Sequence, residues 1–241
     1  MAKKKQNNFE KQDERLQEVN ETLTGAGKWI QDHANALSWC VSIAILVVAA
    51  VIAFRQFVLS PKQAQANEEN AKAAAYFMAA NEAEMRGSAE EAKTLYNLAL
   101  TGDGNEFEGF ANTADSYSNQ QGELAALYAG VIYYEQGQYE EAAEYLKKFS
   151  ANDINIGAAA KQLLGDAYVE LQDYEAAAKA FEAAAKSGNE AIAPMSLKKA
   201  GIVYLHEGEN AKALKAFKAI KENYPASAEA NDIDKYIAIA E

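Results

Sequence analysis

Apolar and polar positions follow two regimes along this chain. From Leu37 to Phe54 eighteen residues pass without a charge, and only Ser38 and Ser42 are polar. A helix of about 20 such residues crosses a hydrocarbon core of roughly 30 Å, so the run predicts a membrane-spanning helix over 36–59. Arg55 lies just inside its far end, where a long stem can follow apolar surface while the guanidinium reaches the interface. Trp29 and Trp39 flank the entry as interfacial aromatics do. Two other readings compete. A core helix would rarely be apolar on every face over this length. A cleaved leader would use the small residues of Ala64, Gln65 and Ala66, but the run exceeds the ~7 to 15 residues of a leader core and a long segment precedes it.

Residues 1–35 read as a basic arm, opened by Lys3, Lys4 and Lys5, and a juxtamembrane amphipathic segment. Phe9, Leu16, Leu23 and Ile30 recur every seven residues, while Gln12, Gly25 and Gly27 interrupt the pattern. An interfacial helix is the preferred reading and a weak self-association seam the other. Residues 60–72 are rich in Ala, Asn and Glu and read as a helical linker.

Beyond residue 73 the apolar spacing becomes that of paired amphipathic helices. Gly130 and Tyr133, Gly165 and Tyr168, and Gly201 and Tyr204 repeat one core at 35 and 36 residues. Twelve residues after each glycine stands Ala142, Ala177 or Ala213, and four further on Leu146, Phe181 or Phe217. Turn-forming stretches around Gly137, Gln172 and Gly208 divide each unit into two antiparallel helices. This period resembles the tetratricopeptide repeat, near 34 residues, in which small residues let the helices approach and large ones fill the space between units. The resemblance implies an all-α fold, a solenoid of helix pairs over 73–241.

Its repeats are expected at about 123–156, 158–192 and 194–225, after a degenerate unit at about 73–101 (Tyr76, Ala80, Gly87, Ala92, Tyr96, Ala99) and an insertion at 102–121. Within the insertion Asp103, Asn105 and Glu106 lack the ligand spacing of a calcium loop and read as an ordinary turn. After Pro225, Ala230, Ile233, Ile237 and Ala240 share one helical face, which predicts a capping helix within 226–241.

Charge narrows the partners. The chain carries a net −12, of which residues 1–59 contribute +1 and residues 60–241 contribute −13, so the solenoid repels nucleic acid and anionic headgroups. Cys40 is the one cysteine, which removes intramolecular disulfides and thiolate clusters. His33 and His206 stand far apart, and no phosphate loop, nucleophile elbow or metal-binding His motif occurs. No enzyme, cofactor or metal site is expected, although an enzyme of unrecognised type remains an alternative.

Carrying the family's groove-facing positions onto this chain marks Leu127, Val131 and Tyr134 in the first clear repeat. The second contributes Gln162, Asp166 and Val169, and the third Lys198, Ile202 and Leu205. Such a face can hold a segment of another protein, or else be partly core or covered by the capping helix. Lys198 alone does not make the carboxylate clamp of chaperone-tail-binding repeats. A short inside segment, one membrane helix and an exported solenoid together resemble the YfgM-type ancillary subunits of the bacterial Sec translocon. That resemblance implies an inner-membrane protein with a cytoplasmic amino terminus and a periplasmic solenoid, whose partners are translocon subunits, chaperones or exported clients. A scaffold of cell-division or outer-membrane assembly machinery would have the same design. Oligomeric state is not readable.

Overall fold

The computed structural model describes residues 46–150 and 154–241. The basic arm, the heptads of residues 9–30, Trp29, His33, Trp39, Cys40 and the first part of the apolar run lie outside the described residues. The chain divides into two units, residues 1–61 and 62–241.

In the first unit the described residues are helical, with a π-helical stretch at Arg55–Leu59. Its large apolar side chains are exposed: Leu46, Val47, Val48, Val51, Ile52, Phe54 and Phe57 all stand more than half open. They belong to a helix, Leu46–Met85, that is long and apolar enough by length and composition to cross a membrane.

The described residues of the second unit are helical with no strand. Helix α1 (Ser60–Met85) and α2 (Ala89–Thr101) form the first pair. A short helix α3 (Gly109–Ser116) follows. Then come α4 (Gln120–Glu135) with α5 (Tyr139–Lys148), α6 (Ile156–Glu170) with α7 (Tyr174–Ala185), and α8 (Ile192–His206) with α9 (Asn210–Asn223). A 3₁₀ turn (Ala228–Asp232) and helix α10 (Ile233–Ala240) close the stack.

The repeat glycines explain how the pairs fit. A Cβ built on Gly130 would lie 2.6 Å from Leu146 Cγ, one on Gly165 2.5 Å from Phe181 Cε1, and one on Gly201 closer still to the Phe217 ring. Each first helix thus leaves a gap that the large residue sixteen positions later fills, and both phenylalanine side chains are fully buried. The cap works in the same way: Ile233 and Ala240 are buried, and the Tyr236 ring lies 5.4 Å from that of Phe217.

Each turn between paired helices uses one left-handed residue. Gly137 and Gly208 both have φ of 73°, and at the matching position of the middle repeat Gln172 has φ of 61°. A Cβ is unfavourable there and glycine is not. Gln172→Gly is expected to raise stability by up to ~1 kcal/mol, read as a higher denaturation midpoint.

The segment 60–72 is more than a linker. Ala66 is buried, Glu69 Oε2 accepts from the Glu108 amide at 2.7 Å, and Asn70 Nδ2 donates to the Gln121 carbonyl at 2.8 Å. Its second half therefore packs with the inserted α3 and the start of α4. The insertion is core as well, since Phe107 and Phe110 are buried and stack on Tyr76 and Tyr128.

Three buried tyrosines tie helices together through carboxylates. Tyr96 donates to Asn81 Oδ1 at 2.6 Å and Glu84 Oε2 at 3.0 Å, Tyr145 to Asp115 Oδ2 at 3.0 Å, and Tyr204 to Glu182 Oε1 at 2.7 Å. Burial, then the bond to Glu84, pushes the Tyr96 phenol up to about 12, while burial, then the bonds to Asp115 and Glu182, raises Tyr145 and Tyr204 respectively. An unfolded phenol releases its proton near pH ~10, so the folded chain holds these protons above that value. Their stabilisation is complete below pH ~10 and is lost as pH rises through the folded values. Stability is therefore expected to fall steeply above pH ~10 in alkaline titrations followed by circular dichroism, and less steeply in Tyr96→Phe.

Candidate functional site

The first helices of the three clear pairs, α4, α6 and α8, carry the nine positions marked from sequence. Their face is not uniformly open. Among the nine only Ile202 is exposed, at 43%, and the others are half-buried.

On α4, Tyr134 packs at the edge of the small core formed by Ala142, Ala143 and Ala167, with the Tyr139 ring 5.5 Å away. Burial first, then the Asp166 charge, raises its phenol. Leu127 and Val131 line the same helix, half-buried. On α6 and α8, Val169 and Leu205 pack against the core of the last repeat.

The polar members are engaged between neighbouring repeats. Gln162 Oε1 accepts from Ser196 Oγ at 2.9 Å. Asp166 receives Lys199 Nζ on both oxygens, at 2.8 and 2.7 Å, with both side chains about a quarter to a third exposed. Lys198 Nζ donates to Asp232 at 2.6 Å and lies 4.9 Å over the Tyr236 ring. These contacts hold α6 to α8 and α8 to the cap. A residue locked in this way is spaced from its partner by about one repeat, 33 or 34 positions, which is what a stack of like units brings side by side.

The face offers apolar surface where sequence reasoning did not look. Met195, 40% exposed, sits two turns before Ile202 on the same side of α8, and Gln162 Nε2 lies 3.4 Å from its sulfur. Its helical spacing from Ile202 was the available signal. Ile156, at the start of α6, is 53% exposed.

Among the described residues no group of three His, Cys, Asp or Glu is placed to hold a metal ion. In the insertion, Asp103 Oδ1 accepts the amides of Asn105, Glu106 and Phe107 at 2.9, 2.7 and 3.2 Å. Those bonds, the Asn105 amide first, hold its carboxyl below the usual range. The carboxylate closes the turn it belongs to.

No curated protein matches the chain. Among solved structures, a crystal structure of MamA is similar at 22% identity with a TM-score of 0.43, over 67% of this chain and 91% of that one. A second crystal structure of the MamA protein matches at 22% identity and a TM-score of 0.45, over 70% of this chain and 89% of that one. Tetratricopeptide repeat family models match residues 124–153 and 163–228, which span α4 with α5 and then most of α6 to α9. With the helix pairs and the glycine contacts that join them, these matches show tetratricopeptide repeats in those two segments of an all-α stack of helix pairs.

Proposed function

We propose that this protein is a membrane-anchored scaffold that holds other proteins on the first-helix face of its repeats. The observation that carries this reading is the exposed apolar pair Met195 and Ile202 on α8, within the segment that matches the repeat family. Apolar side chains standing open on a rigid helix face suit an extended or helical peptide, because they bury area on binding without reordering the backbone. Leu127, Val131 and Tyr134 are the corresponding half-buried positions of α4, and the Asp166–Lys199 and Lys198–Asp232 pairs hold α6, α8 and the cap together. No turnover is assigned to this surface.

Anchoring is supported by the exposed apolar side chains of residues 46–58 and by the uncharged run that continues to Leu37. The reading places the amino terminus, with Lys3, Lys4 and Lys5, in the bacterial cytoplasm and the solenoid in the periplasm. There it would serve protein export beside the Sec translocon, receiving exported proteins or their chaperones.

The test is photo-crosslinking in native membranes with probes at Val131, Met195 and Ile202, and mass spectrometry of the adducts. Adducts with translocon subunits, chaperones or exported proteins are the expected result. Reproducible adducts with a division or outer-membrane assembly complex would keep the scaffold and replace its partner. Absence of protein adducts at all three positions would sink the first-helix face as a binding surface.

A further inference from the structure

Residues 60–241 are acidic, yet half of their positive charge falls in one stretch. Residues 179–221 carry eight lysines and four glutamates, a net +4 within a chain of −12. Half of the sixteen Lys and Arg residues of 60–241 fall in this stretch. The repeat design does not require it. Lys212 and Lys179 correspond, at the repeat spacing, to Ala176 and Glu144 one unit earlier.

Four of these lysines, Lys179, Lys186, Lys212 and Lys215, ring a cavity of about 690 Å³ between α7, α8 and α9. That volume lies within the ~300 to 1,000 Å³ common to ligand sites. Its floor is apolar, made by Leu197 and Ala200 of α8 and by Ala216 and Ala219 of α9, whose small side chains leave the space open. Leu197, Ala200 and Tyr204 point away from Ile202 around α8, so this cavity is on the other side of the helix from the first-helix face.

The charges around it are unequally engaged. Lys179 bonds Glu175 at 2.5 Å, and Lys212 pairs with Glu209 while lying 5.2 Å over the Tyr204 ring. Glu182, the carboxylate in the wall, accepts the Tyr204 hydroxyl. Lys186 and Lys215 are exposed and have no side-chain partner among the described residues. A shallower depression continues along α9 past Leu214 and Lys218, sharing Lys215 and Ala219 with the cavity. Surface of that form suits a length of chain rather than a compact small molecule.

We infer that this cavity is a second docking site, which takes an acidic segment of a partner protein with one large apolar side chain in the pocket and its carboxylates on Lys186 and Lys215. Charge complementarity sets the partner's sign. The apolar floor sets the need for an anchor residue, as in interfaces where a buried side chain dominates and the rim charges guide approach.

The test is calorimetric titration of the full chain in detergent with a synthetic peptide in which glutamates flank one phenylalanine. Two control peptides replace either the glutamates with lysines or the phenylalanine with alanine. The expected result is binding of the first peptide, and affinity lower by about tenfold or more for each control. Lys186→Glu with Lys215→Glu is expected to weaken the first peptide by about tenfold or more, without changing thermal unfolding, because both side chains are exposed and unpaired. Lys186→Ala with Lys215→Ala weakens it less. Ile202→Asp leaves it unchanged, which separates this site from the first-helix face.

Equal binding of the lysine peptide, or no effect of either double variant, would overturn the inference. So would loss of binding in Ile202→Asp alone. Self-association of the peptide-free chain that the double variants abolish would assign the cavity to a second copy instead. Displacement of the peptide by phosphatidylglycerol vesicles at Lys186 and Lys215 would assign it to a lipid surface.

Discussion

Gly201→Ala is expected to destabilise the protein when Phe217 is present and to stabilise it when Phe217 is replaced by alanine. A methyl on Gly201 collides with the Phe217 ring, whose Cζ would lie 2.6 Å and Cδ1 2.8 Å from it. That ring is fully buried, with Tyr236 on one side, so it has no open space to move into. Overpacking of this kind costs about 1–3 kcal/mol, partly offset by the ~1 kcal/mol by which alanine is the better helix former. A net loss of up to about 2 kcal/mol is expected.

Phe217→Ala alone removes a fully buried ring, with an expected loss of about 3–5 kcal/mol. In that background the new methyl meets no ring, fills part of the cavity and recovers the helix preference, so Gly201→Ala should return about 0.5–1 kcal/mol. The reversal of sign is the diagnostic, and denaturant unfolding of the four proteins measures it. Additive effects with no change of sign would show that glycine at this position serves something other than close approach. The same cycle at Gly165 and Phe181, where the Cβ would meet Cε1 at 2.5 Å, should behave alike.

Val48→Arg is expected to release the protein from membranes. Val48 is 57% exposed near the middle of the apolar run, and an arginine at the centre of a spanning helix costs about 2.5–3.5 kcal/mol on insertion. That amounts to about two orders of magnitude in the insertion equilibrium. Phe57→Arg is the control. Phe57 is exposed two residues from Arg55, near the end of the run, where a guanidinium can reach the interface at little cost. Carbonate extraction should leave the wild type and Phe57→Arg in the membrane pellet and shift Val48→Arg into the supernatant. A wild-type protein found wholly in the supernatant would end the anchored reading.

The glycine lock was legible in the sequence because its physics is local in register. A gap in one helix must be filled by a large residue at a fixed distance along the chain, so Gly165 with Phe181 and Gly201 with Phe217 announce themselves at a constant sixteen. The cap was legible for a like reason, since Ile233 and Ala240 lie on one face of a short helix. Segment 60–72 was not, because burial there is by Ala66, Glu69 and Asn70. Small and polar residues give no apolar period, and their partners Glu108 and Gln121 lie 39 and 51 residues away.

The candidate face divides in the same way. Family positions located the helices that bear it, and Ile202 is exposed on it. That Asp166, Gln162 and Lys198 are occupied by Lys199, Ser196 and Asp232 depends on which side chains adjacent repeats bring together. Lysine counts likewise show that residues 179–221 are basic, but not that four of those lysines surround one cavity.

By itself, then, the sequence determined an all-α chain, an apolar run long enough to span a bilayer, and helix pairs repeating every 35 or 36 residues. Each follows from periodicity and steric fit between residues at short, fixed spacing. Only the tertiary structure decided which polar groups are locked between repeats, which apolar ones stay open, and where the lysines converge. Those outcomes depend on contacts between residues a full repeat or more apart, where the angle between neighbouring helix pairs, and not the pattern within one helix, fixes which side chains meet.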